Sequence, residues 1–186
     1  MSIHDATSKQ HSSGFTIVEL LIVIVIIGIL AAITIVAYNG IQNRAYDTSV
    51  QSDLANTAKK LELAKISSTS DAYPYGNPAI NSAVKDLKVN KSAYIISPDA
   101  TYNVLICYPT TTDTTNHVVL SLSKSGKRFY TEPGGKISEY TGSVSWAGGA
   151  ANTICNSVRT GWIAGGSGYN ATDTTTGPWR DWAGGN

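Results

Sequence analysis

Residues 15–38 read FTIVELLIVIVIIGILAAITIVAY, 24 residues with a single charge, Glu19. About 20 apolar residues in a helix span a bilayer core of about 30 Å, so this run is long enough to cross a membrane. It makes a poor secretory signal. The apolar stretch is long, Lys9 is the only basic residue ahead of it, and no Ala-x-Ala site follows closely. Flanking charge does not orient it, with Lys9 on one side and Arg44, Lys59 and Lys60 on the other.

The helical pattern outlasts the apolar run. Val50, Leu54, Ala58 and Leu61 recur at steps of four, four and three, one stripe of a helix with Asp53, Lys59, Lys60 and Glu62 on other faces. No proline occurs between residues 15 and 73, and the pattern stops near Ile66, before Ser67-Ser68-Thr69-Ser70. At 1.5 Å per residue, a helix over 15–66 is about 78 Å long. A small domain covers only part of such a helix. The first half needs lipid, or copies of itself, around it.

Residues 67–101 read as a connecting region, with a short helix opening at Asn77-Pro78 and running to about Leu87. Strand-like runs follow at 102–108, 117–124, 127–132 and 136–140. Ser125-Gly126 and Pro133-Gly134-Gly135 supply the turns between the last three. Alternation is clearest at Tyr102/Val104/Ile106 and Val118/Leu120/Leu122. The expected class is α+β: a long N-terminal helix packed on a small antiparallel sheet, the 102–186 region being bounded by cysteines. The last 45 residues, rich in Gly, Ser, Thr and Trp, read as irregular surface loops tied down by Cys155.

Composition excludes several functions. With 14 Lys+Arg against 13 Asp+Glu, the net charge of +1 does not suit a protein that grips nucleic acid over its whole surface. Neither Cys-x-x-Cys nor His-x-x-x-His spacing occurs, so no zinc site is expected, and no nucleotide-binding or nucleophile-elbow motif is present. No cofactor or metal is implied. His4 and His11 precede the apolar run, which leaves His117, at the start of a strand, as the one imidazole a triad could use; a strand-edge polar role is expected instead. Cys107 and Cys155, 48 residues apart, read as one disulfide or as two buried thiols. A bond closing that loop would contribute about 3–4 kcal/mol in the chain-entropy model.

Glu19 carries the most information. An acidic residue at the centre of a membrane helix costs about 2.5–3.5 kcal/mol. Near the membrane edge it could reach headgroups. Cleavage after Gly14 offers another compensation: Phe15 would gain an α-amino group with a pKa of about 7.7–8.0, a cation one turn from Glu19 or beside the Glu19 of an adjacent copy. Pairing would offset the burial of both charges.

The segment GFTIVELLIVIVIIGILAAITIVAY resembles the N-terminal signature of type IV pilins and the related pseudopilins: glycine, then Phe, then Glu four residues on, then an apolar helix. The match is close over residues 14 to about 40 and loose over the rest. It implies that residues 1–14 are a leader removed by a prepilin peptidase at Gly14, and that Phe15 becomes the N-methylated first residue. It implies that Glu19 pairs with the Phe15 amine of a neighbouring subunit and sets register. Residues 15–38 would first anchor the subunit in the cytoplasmic membrane, with the C-terminal domain outside, and then form the filament core, the amphipathic part of the same helix following at 39–66. Gly28 marks a position where the helix can loosen. The implied partners are other copies of the chain, the peptidase, and an assembly platform with its ATPase. The filament would stand outside the cell, with roles such as motility or adhesion. One departure is Val36, where many members carry a proline that kinks the helix.

The resemblance implies a structural filament subunit rather than an enzyme. Its rivals are a pseudopilin of a type II secretion or DNA-uptake system, an anchored surface-binding domain that never polymerises, and an exported hydrolase. Trp146, Trp162, Trp179 and Trp182 either cover the sheet or present aromatics to a glycan, a surface or DNA, with 179–182 the best candidate for an exposed patch. The sequons at Asn90 and Asn170 are short enough to arise by chance, and the threonine runs at 110–115 and 172–176 read as solvated loops rather than modification sites.

Overall fold

The computed structural model describes residues 14–84, 87–96, 102–132, 134–171 and 179–184. The leader up to residue 13, the Val36 side chain, Pro133 and the 172–176 run lie outside the described residues. The elements are α1 (Ile17–Ile66), α2 (Asn77–Ala83), β1 (Tyr102–Tyr108), β2 (Val118–Leu122), β3 (Arg128–Thr131), β4 (Ile137–Glu139), α3 (Ala151–Val158), β5 (Ile163–Asn170) and α4 (Asp181–Gly184). The chain divides after Ile41 into two units.

In the first unit, every described large apolar side chain from Ile17 to Ile41 is half exposed or more. Among the described residues, α1 is the one helix long and apolar enough to cross a membrane.

The second unit is a five-stranded antiparallel sheet in the order β4-β3-β2-β1-β5. The expected stripe of α1 forms as read: Val50, Leu54 and Leu61 are fully buried and Ala58 nearly so. Val50, Leu54 and Leu61 share a core with Val104, Ile106, Tyr108, Val119 and Phe129 from the sheet. Asp53, expected on an outer face, is instead buried. It accepts hydrogen bonds from the Asn90 backbone N–H (2.9 Å) and the Tyr94 hydroxyl (2.7 Å), and burial pushes its carboxyl above the ordinary value. Asp47 on α1 accepts from the hydroxyls of Ser123 and Ser125, which ties the β2–β3 turn to the helix. That turn needs Gly126 at φ +90°, in the region open to glycine.

Two readings need correction. The region after residue 141 is not all irregular loop, because it contributes α3 and β5. The meander therefore gains a fifth strand, paired with β1 on the side away from β2. The sheet is also covered on both faces. Leu105, Cys107, Val118 and Leu120 point away from α1 and pack with Trp146, Ile154 and Cys155. The Val118/Leu120 face of β2 therefore meets α3, and the opposite face of the sheet meets the long helix.

The β5 edge is closed by neighbouring segments. Gly165 O and Gly168 O accept from the backbone N–H groups of Gly76 and Arg180, while Ser167 N–H and Ala164 N–H donate to the side chains of Asn77 and Asn152. Capping of this kind removes an edge on which another strand could pair.

Candidate functional site

The segment ahead of the apolar helix is small and exposed. Phe15 is 91% exposed, and α1 begins two residues later. Its first turn is held by a reciprocal pair. The Thr16 backbone N–H (2.8 Å) and hydroxyl (2.7 Å) both donate to Glu19 Oε2, and Glu19 N–H donates to Thr16 Oγ1 (3.2 Å). Hydroxyl and carboxylate each satisfy a backbone donor that the helix itself cannot, which is a capping box. Glu19 also places negative charge at the positive end of the helix dipole. The Thr16-x-x-Glu19 spacing carries this signal, and a reading centred on charge pairing passes over it. Neither hydrogen bond uses Glu19 Oε1, so the carboxylate retains acceptor capacity.

Gly14 precedes the helix, and a Cβ there would meet nothing within 4 Å. The same holds for Gly28, inside unbroken helix. Packing within the chain demands glycine at neither position.

Cys107 on β1 and Cys155 on α3 form a disulfide with Cα atoms 5.7 Å apart, both residues fully buried. The bond fastens α3 to the sheet face opposite α1.

The exposed aromatic patch expected at 179–182 is absent. Trp182 is 2% exposed and belongs to the core shared with α1. Trp179 is partly buried between Tyr94 and Tyr169, with ring centroids 5.6 Å and 5.0 Å away. Trp146 is buried, lies 5.0 Å from the Tyr140 ring and donates to Ser157 Oγ. These three indoles fill the two layers beside the sheet; burial of so much apolar area outweighs exposure unless a ligand compensates.

His117 directly precedes β2 and is 7% exposed, more buried than an edge position suggests. Its ring meets the Tyr73 ring edge-on at 4.2 Å. Burial, reinforced by Lys65 and opposed by Glu62, pushes its pKa from 6.5 down to about 4, so the imidazole is neutral near pH 7. Among the described residues no cluster of three or more His, Cys, Asp or Glu could hold a metal ion.

Comparison with known proteins adds sequence evidence. The family described as the prokaryotic N-terminal methylation motif matches residues 9–35. The type IV wide pilus major component PilA4 of Thermus thermophilus is 37% identical over 92 residues, covering 49% of this chain and 69% of that protein. The type II secretion system core protein G of Pseudomonas aeruginosa is 31% identical over 77 residues, covering 41% of this chain and 53% of that protein. No solved structure gives a significant match.

Proposed function

Because this chain belongs to the type IV pilin and pseudopilin family, we propose that it is a structural subunit of a type IV pilus-like filament, polymerised through α1. The observation that carries the proposal is the apolar half of α1, whose described large side chains are half exposed or more, together with the methylation motif over residues 9–35. The relatives are structural pilin-type proteins, and no catalytic role is needed to account for the described residues.

The finer steps are as follows. A prepilin peptidase removes residues 1–14 after Gly14, and the new amine of Phe15 is methylated. Before cleavage that nitrogen is an uncharged amide and offers Glu19 no cation. Cleavage therefore creates the charge partner at the moment the subunit becomes competent to assemble. Residues 15–38 hold the subunit in the cytoplasmic membrane with the 42–186 unit outside. In the filament, the Glu19 carboxylate, still capping its own helix through Oε2, accepts the Phe15 amine of a neighbour. Two charges that are costly singly in an apolar core become one neutral pair, and its short range fixes the axial register. Gly28 is where the helix can loosen as copies pack. An assembly platform and ATPase supply the work.

A secretion-system pseudopilin is the second reading, favoured by the likeness to core protein G. Electron microscopy of sheared surface filaments, with immunodetection of this chain, tests the main proposal. Long filaments containing the chain are expected. Short periplasmic or envelope-bound assemblies would favour the second reading, and a chain found only as an unpolymerised membrane protein would overturn both.

A further inference from the structure

Glutamate rotates about several side-chain bonds, so an unheld carboxylate at an exposed helix start samples many directions. Glu19 is held. The Thr16 hydroxyl accepts from the Glu19 backbone N–H at 3.2 Å and donates to Glu19 Oε2 at 2.7 Å, while the Thr16 N–H donates to the same oxygen at 2.8 Å. Two donors from one residue on one oxygen close the side chain back over the first turn. Glu19 Oε1 takes part in neither bond.

The sequence offers Glu19 no substitute for this clamp. From Phe15 to Ile33, Thr16 and Glu19 are the only polar side chains. The next hydroxyl, Thr34, donates to its own helix at Ala31 O. A hydroxyl in a segment that must be enclosed by lipid or by other apolar helices is costly unless bonded, and Glu19 is what bonds this one.

We infer that Thr16 is a positioning residue for assembly: by clamping Oε2 it fixes the carboxylate so that Oε1 is the atom left for the Phe15 amine of a neighbouring copy. The inference rests on the filament reading above. A carboxylate oriented in advance loses less rotamer freedom when the amine arrives, and it meets the amine at one place along the helix axis. Capping alone is a separable role. Glycine at the cap position supports a helix about as well as threonine does, whereas valine does not, and neither supplies a hydroxyl.

Thr16→Ser, Thr16→Gly and Thr16→Val in the full chain test this. Filament yield is measured against the membrane pool of the same variant, and intact mass restricts both to chains that begin at Phe15. Thr16→Ser should assemble as the wild type does. Thr16→Gly and Thr16→Val should each fall roughly tenfold, the scale of one hydrogen bond to a charged group, with the melting of the 42–186 unit unchanged. Normal yield from Thr16→Gly would make Thr16 a cap only and overturn the inference, as would failure of Thr16→Ser to assemble. Loss of cleavage after Gly14 in Thr16→Gly and Thr16→Val would assign Thr16 to the peptidase and overturn it as well. A wild-type chain absent from filaments would overturn the filament reading itself, and this inference with it.

Discussion

From Ile17 to Ile41 the described large apolar side chains of α1 are half exposed or more, whereas Val50, Leu54 and Leu61 in the same helix are fully buried. The two stretches differ in pattern as well as in burial. The second concentrates its apolar residues on one stripe, and one sheet face is enough to cover a stripe. The first is apolar all round, so no single face of one partner could cover it, and a helix of that kind is stable only when surrounded by lipid or by other helices. The striped part of α1 thus builds the subunit and the apolar part requires something outside it. Changes in the apolar part should be felt in assembly and changes in the striped part in folding.

The largest effect should come from Glu19. Glu19→Ala is expected to insert in the membrane normally yet disappear from sheared filaments, with the melting of the 42–186 unit unchanged. Glu19→Gln sharpens the point, because Gln can serve a capping box as Glu does but carries no charge. If charge pairing sets the register, Gln should fail as Ala does. Filaments in normal amount from Glu19→Gln would mean that the cap, rather than the charge, is what assembly needs.

Leu54→Ala should do the reverse. Removing a fully buried leucine costs about 2–5 kcal/mol, so the melting temperature should fall clearly. Ile24→Ala in the apolar half should leave the melting of the 42–186 unit where it was. Equal thermal losses from both would break the contrast between the two stretches.

Reduction of the Cys107–Cys155 bond comes next, with an expected loss of about 3–4 kcal/mol in the chain-entropy model, read as a lower denaturant midpoint under reductant. The effect belongs to the second unit alone, since the bond joins β1 to α3.

A smaller effect concerns pH. His117 has its folded pKa lowered to about 4 from 6.5, so between those values the unfolded chain binds more protons. Stability from this residue is complete above about pH 6.5 and is lost as pH falls toward 4. Asp53, whose folded pKa is raised, acts in the opposite sense above 3.8. The comparison of wild type with His117→Gln isolates the histidine: the variant should lose less stability between pH 6.5 and 4, and identical pH profiles would remove this role.

Much of this was legible from pattern. The end of α1 at Ile66, β1 at 102–108 and the stripe from Val50 to Leu61 follow from periodicity and breakers. β5 was not legible, because Gly165, Gly166 and Gly168 remove the alternation that marks a strand. Those glycines are small for a packing reason: a Cβ would run into Tyr108, Ile80 and Ala183 respectively. Strand propensity there gives way to close approach by neighbouring elements. The burial of Asp53 was hidden for a related reason, since its partners Asn90 and Tyr94 come from the connecting region, 37 and 41 residues away. At the candidate site the lone charge of Glu19 stands out in the sequence, while the Thr16 cap leaves only the Thr16-x-x-Glu19 spacing as its trace.

The central claim is that the apolar stretch becomes an assembly element once Phe15 is its first residue. Intact-mass spectrometry of the chain purified from surface filaments tests this most directly. The account predicts a subunit that has lost residues 1–14 and carries one N-methyl group on Phe15; a filament subunit that still begins at Met1 would contradict it.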